Sequence, residues 1–103
     1  MTIRTEYEDE GETLVLYIQG FFDFSLHKEF RHAYKDVEGI RRYVIDLSEA
    51  EYMDSSALGM LLLLREFAND QGSEVVLRNC SREVRKILEG WSQESSATVF
   101  EKA

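Results

Sequence analysis

The feature that most limits how this chain can fold is its repeated switch between two hydrophobic periods. Residues 3–8 and 12–19 read as strands, with Leu14, Leu16 and Ile18 alternating against Thr13, Tyr17 and Gln19. Asp9-Glu10-Gly11 supplies a hairpin turn between them, and Gly20 marks the end of the second strand. From Ser25 the spacing becomes helical, with Leu26, Phe30, Ala33, Tyr34 and Val37 on one stripe that runs toward Gly39. Arg41 to Leu47 returns to a short β-branched run suited to a central strand. A polar loop then leads to Asp54-Ser55-Ser56, which caps a second helix over residues 55–70 that stops near Gly72. Glu74 to Arg78 is another strand. Ser81 caps a third helix carrying Val84, Ile87, Leu88 and Trp91 at i, i+3, i+4, i+7 spacing, and Ala97 to Phe100 forms a terminal strand. The order β-β-α-β-α-β-α-β predicts a single α/β domain over residues 1–103. Its sheet is mixed but mostly parallel, with helices packed against it, because helical crossovers join the later strands.

Composition narrows the partners. The chain has 103 residues with 12 Lys and Arg against 20 Asp and Glu, a formal charge of −8. That size supports one core that buries roughly 60–70% of the unfolded surface without disulfide or metal. The acidic balance opposes nucleic acid and anionic membranes, whose affinity for proteins rests on Lys and Arg. The longest unbroken apolar stretch, Met60 to Leu64, is far short of the roughly 20 residues that span a bilayer. The first residues lack the apolar run of a secretory signal, and Cys80 is the one cysteine, so a reducing cytoplasm is the expected compartment. His27 and His32 stand five apart on the first helix with no second ligand motif, so neither a metal nor a cofactor is expected.

The chemistry concentrates in Tyr52-Met53-Asp54-Ser55-Ser56-Ala57-Leu58-Gly59-Met60-Leu61. Two hydroxyls and a carboxylate fall at a helix N-terminus, where free backbone N–H groups and the positive dipole end favour anions. As a cap alone this arrangement is ordinary. The helix behind it is not, because Ala57, Met60, Leu61, Leu64 and Ala68 already supply a complete buried stripe, leaving Leu58, Leu62, Leu63 and Phe67 in excess. A helix apolar over most of its circumference is either sandwiched in a core or holds a second face for a partner.

Met53-Asp54-Ser55-Ser56-Ala57-Leu58-Gly59 resembles the M-D-S-S/T-G-L-G segment of STAS-domain anti-sigma factor antagonists, the bacterial regulators of partner-switching systems. Val44-Ile45-Asp46-Leu47-Ser48 is similar to the family's hydrophobic strand ending in Asp or Asn and Leu. Gly20-Phe21-Phe22-Asp23 is similar to its G-x-L/F-D before the first helix, and Val84-Arg85-Lys86-Ile87-Leu88 matches its third-helix pattern. The resemblance covers nearly the whole chain. It implies a non-enzymatic binding module in which Ser55 is phosphorylated by a partner that is both a serine kinase of the GHKL type and an anti-sigma factor. The unphosphorylated form binds that partner, and a PP2C-type phosphatase restores it. Ser56 is the competing acceptor, since capping logic cannot separate adjacent hydroxyls. Asp54 caps the helix or orients the acceptor, and Asp23 lies near Ser55 by the same resemblance. Ala57 stands where the family commonly has glycine.

A phosphoserine adds about −1.5 to −2 charge, which a helix N-terminus tolerates. A partner packed on Ala57, Leu58 and Leu62 would instead meet a dianion beside Asp54, so binding is lost while folding survives. One copy of the chain suffices for this. Two other readings stand beside it. In one, the STAS module acts on a non-sigma partner such as a response regulator or signalling enzyme. In the other, Ser55 is the nucleophile of a hydrolase, a reading opposed by the absence of a G-x-S-x-G elbow and of any histidine placed beside it. Asp46, at the end of a buried strand, reads as a hydrogen-bond acceptor for loop amides.

Overall fold

The computed structural model describes residues 3–82, 84–86 and 101–102. Five strands form one sheet in chain order: β1 (Ile3–Glu8), β2 (Thr13–Phe22), β3 (Arg42–Met53), β4 (Glu74–Arg78) and β5 (Glu101–Lys102). β1 and β2 pair antiparallel, and every later pairing is parallel. This is the mixed, mostly parallel sheet that the order of periods predicts. Helix α1 (His27–Lys35) crosses from β2 to β3, and α2 (Ser55–Gln71) from β3 to β4. Crossovers of one hand that step the same way along a sheet lay their helices on the same face. The core follows from that. Leu14, Leu16 and Ile18 of β2 and Tyr43, Ile45 and Leu47 of β3 share one cluster with Phe30 and Tyr34 of α1 and with Ala57, Met60, Leu61, Leu64 and Ala68 of α2.

Both central strands run past their expected ends. β2 continues through Gly20, whose φ of +76° gives it a left-handed backbone at a register irregularity, and reaches Phe22. Gly20 is thus a bulge rather than a stop, which suits a residue without Cβ. β3 does not yield to a loop after Leu47 but extends to Met53, because Ala50 and Met53 stay buried and pair with the extended part of β2. Ser48, Glu49, Glu51 and Tyr52 are exposed there, so burial recurs every third residue and the period-two signal disappears. α1 is shorter than its stripe suggested: a 3-10 turn covers Phe24–Leu26, and the α-helix closes at Lys35, short of Gly39.

α2 ends as expected. Gly72, at φ 75°, donates its N–H to the carbonyls of Ala68 and Asn69, the left-handed cap that glycine favours. Beyond β4, the Ser81 hydroxyl accepts the Val84 N–H at 3.2 Å and the Arg85 amide donates to the Ser81 carbonyl at 2.8 Å, so the third helix starts where its cap predicts. Ile87, Leu88, Trp91 and the strand expected at 97–100 lie outside the described residues. Cys80 is partly buried against the core.

On the opposite sheet face Val15, Val44 and Val76 form a small apolar row, bordered by Tyr17. Next to it Asp46, 2% exposed, accepts the Ser48 amide at 2.9 Å and the Ser48 hydroxyl at 2.7 Å. Its second oxygen accepts from Arg78 Nε and Asn79 Nδ2, each at 3.0 Å. Burial pushes this carboxyl up, but the bonds from Ser48, Arg78 and Asn79 outweigh it and hold Asp46 below its ordinary 3.8. Asp46 is therefore a hydrogen-bond acceptor as expected, but for an amide within β3 and for the side chains of Ser48, Arg78 and Asn79 rather than for loop amides, and it anchors β3 to β4.

Candidate functional site

The parallel register places two loops side by side. Phe22, the last residue of β2, pairs with Met53, the last of β3, and the Asp54 amide donates to the Phe22 carbonyl at 3.3 Å. Asp23 and Asp54 thus begin adjacent loops outside the C-terminal ends of parallel strands, where open α/β sheets characteristically build their sites.

Asp54 is the N-cap of α2. Its Oδ1 accepts the Ser56 amide at 3.0 Å, the Ala57 amide at 3.2 Å and the Ser56 hydroxyl at 2.5 Å. The Ser56 hydroxyl, aided by the Ala57 and Ser56 amides, holds the Asp54 carboxyl below its ordinary 3.8 despite some desolvation. The two serines that capping logic could not separate are thereby distinguished. Ser56 has committed its hydroxyl to Asp54, whereas Ser55, in the first helical position, is exposed and its hydroxyl bonds to no described residue. Asp23 repeats the device one strand away, accepting the Ser25 amide at 2.9 Å and the Ser25 hydroxyl at 2.5 Å. It is near the Ser55 loop through the strand register, but its carboxylate is engaged with Ser25.

Ala57 is fully buried, at 0% exposure, and belongs to the core. It cannot offer its side chain to a partner, which corrects the expectation that it forms part of the contact surface. Leu58 and Leu62 are half-buried on one flank of α2, and Ser55, Gly59, Leu63 and Glu66 form its exposed ridge. Among the described residues a Cβ added at Gly59 would meet nothing within 4 Å, so none of them demands glycine there.

Several exposed aromatic groups surround the site. Phe24 is 64% exposed and stacks on His27 with ring centroids 4.9 Å apart, while Phe21 and Tyr52, also exposed, meet edge to face at 6.2 Å. The signal was present in Phe21-Phe22-Asp23-Phe24, where only Phe22 is needed by the core. Among the described residues no group of His, Cys, Asp and Glu is arranged to hold a metal ion, and no helix is long and apolar enough to cross a membrane.

Residues 5–91 match the family described as "Mlab, STAS domain". A STAS-domain containing protein of Pseudomonas aeruginosa is 56% identical over 89 residues, which is 85% of this chain and 88% of that protein. The chain belongs to the STAS domain family. Its fold is similar to the anti-sigma factor antagonist SpoIIAA in its unphosphorylated form, with TM-score 0.69 and 20% identity over 82% of this chain and 79% of that one. The phosphorylated form of SpoIIAA, from Bacillus, has a similar fold too, with TM-score 0.67 and 18% identity over 98% of this chain and 90% of that one. A putative anti-sigma factor antagonist from Thermotoga maritima aligns with TM-score 0.81 and 16% identity over 98% of this chain and 86% of that one.

Proposed function

We propose that this STAS domain is an anti-sigma factor antagonist-type switch, set by phosphorylation of Ser55. The observation that carries the reading is the difference between its adjacent hydroxyls: Ser55 is exposed and, among the described residues, its hydroxyl has no hydrogen-bond partner, while Ser56 is held by Asp54. A kinase can take the Ser55 oxygen without dismantling the cap. In the unmodified state a serine kinase of the GHKL type, also the anti-sigma-type partner, packs on the Ser55 ridge and its Leu58 and Leu62 flank. Phosphate added at Ser55 sits at the positive end of α2, where the fold accepts it. The partner meets a dianion next to the ionised Asp54, and desolvation and like-charge repulsion remove the contact. A PP2C-type phosphatase returns the exposed site to its binding form.

The module acts by binding, as one copy in the cytoplasm, and Ser55 is a modified residue rather than a nucleophile. The Pseudomonas aeruginosa relative and the structural likeness to SpoIIAA support the class. The test is affinity for the purified kinase partner by calorimetry. Ser55→Ala keeps wild-type affinity and Ser55→Asp loses about 100-fold or more, since opposed like charges at an interface cost several kcal/mol. Equal affinity in both variants overturns the reading.

A further inference from the structure

A second surface lies on the other flank of α2. Between α1 and α2 runs a groove of about 250 Å³ whose lining includes Phe30, Tyr34, Met60, Leu63 and Phe67, with Arg31 and Lys35 at its rim. Its floor is apolar and packed: Phe30, Tyr34 and Met60 are buried, and Tyr34 packs on Phe30 at 5.5 Å and on Phe67 at 5.2 Å between ring centroids. One wall is Leu63, a large apolar side chain left 53% exposed. The volume falls below the 300–1,000 Å³ or so typical of small-molecule sites, and suits an inserted side chain instead.

The rim fixes the chemistry of the occupant. In a chain of net charge −8, α1 carries Lys28, Arg31 and Lys35 against the single acid Glu29. Among the described residues the ion pairs engage Arg4, Arg42 and Arg78, leaving Arg31 and Lys35 exposed without a carboxylate. Arg31 and Lys35 are four apart and so share one side of α1. We propose that this groove docks an acidic amphipathic helix of a partner protein, inserting a large apolar side chain between Leu63 and Tyr34 and setting carboxylates against Arg31 and Lys35. Such helix-in-groove recognition pairs a buried anchor with a charged rim. A membrane fits poorly, because the apolar surface is concave and the whole chain is acidic. The groove lies on the opposite flank of α2 from Leu58 and Leu62 and meets the Ser55 ridge only at Leu63, so neither Ser55 nor its Leu58 and Leu62 flank lines it.

Fluorescence anisotropy with a labelled synthetic helical peptide of Glu and Leu, compared with a counterpart in which every Glu is Lys, tests this on the full chain. The acidic peptide binds and the basic one does not, added salt weakens binding, and Arg31→Glu with Lys35→Glu weakens it by about tenfold or more. Leu63→Ala, an exposed change that spares the fold, weakens it as well, and Ser55→Asp leaves it unchanged. The proposal is overturned if the acidic peptide does not bind, if both peptides bind alike, or if the double charge reversal or Leu63→Ala has no effect. It is equally overturned by sedimentation showing that the groove is covered by a second copy, or by binding to phosphatidylglycerol vesicles in place of the peptide. Failure of these arms with Ser55→Asp still blocking the kinase partner would remove the groove and leave the switch standing.

Discussion

The starts of α1 and α2 are built on the same turn and end differently. In each, an aspartate that follows a strand accepts both the amide and the hydroxyl of the serine two residues on, Asp23 with Ser25 and Asp54 with Ser56. The residue between them projects outward in both, and it is Phe24 in the first and Ser55 in the second. Since a phenylalanine occupies that position without disturbing the turn, the cap does not require a hydroxyl there. The Ser55 hydroxyl thus takes no part in the capping turn, the property that the proposed switch asks of it.

The comparison can be broken most severely at the aspartates. Asp54 collects two amides and a hydroxyl at the head of a 17-residue helix, whereas Asp23 collects one amide and a hydroxyl at a 3-10 turn. Asp54→Ala is expected to cost about 1–2 kcal/mol in urea denaturation and Asp23→Ala less, near 0.5 kcal/mol; equal losses would show that the two turns carry equal weight. Acid sharpens the same contrast. The folded protein holds Asp54 below the ordinary carboxylate pKa, so its contribution is complete above that value and is lost as pH falls through the depressed one. Stability should fall on acidification, and fall less steeply in Asp54→Asn, whose neutral side chain has no proton to gain; an unchanged slope would contradict this. Asp46 is depressed as well and contributes to the same slope.

The serines come next in size. Ser56→Ala removes the hydroxyl held by Asp54 and should cost about 0.5–1.5 kcal/mol. Ser55→Ala, which removes no side-chain hydrogen bond among the described residues, should stay within about 0.5 kcal/mol of wild type. Thermal denaturation of the pair reports the difference, and the reverse order would contradict the assignment of their roles. The smallest effect is at Gly59. The added methyl has open space, so Gly59→Ala should stabilise the domain by about 0.5–1 kcal/mol through backbone entropy. A loss of stability would mean that the helix needs glycine there after all.

Much of this was legible in the chain. The buried stripe Ala57, Met60, Leu61, Leu64 and Ala68 is the set of buried residues found in α2, because a long helix on a sheet obeys its own period. The caps Asp54, Ser81 and Gly72 act where their residue types predict. Three things were hidden. Gly20 reads as a stop and is a bulge, since sequence does not show whether a neighbouring strand continues to offer hydrogen bonds. The second half of β3 is a strand by pairing and not by pattern, its burial recurring every third residue. The difference between Ser55 and Ser56 is a matter of which hydroxyl points back at Asp54, and the spacing of the two residues carries no trace of it. Ala57 reads as contact surface for a related reason: its motif neighbours are exposed or half-buried, while its own place on the helix is in the core.

The central claim is that the free hydroxyl, and not the capping one, accepts the phosphate. Fragmentation mass spectrometry of the protein phosphorylated by its serine kinase partner tests it directly, because cleavage between residues 55 and 56 assigns the added mass to one side chain. Phosphate on Ser55 alone, with none on Ser56 in wild type and none on either residue in Ser55→Ala, is the predicted result. Phosphate on Ser56, or a Ser55→Ala protein modified as fully as wild type, would contradict it.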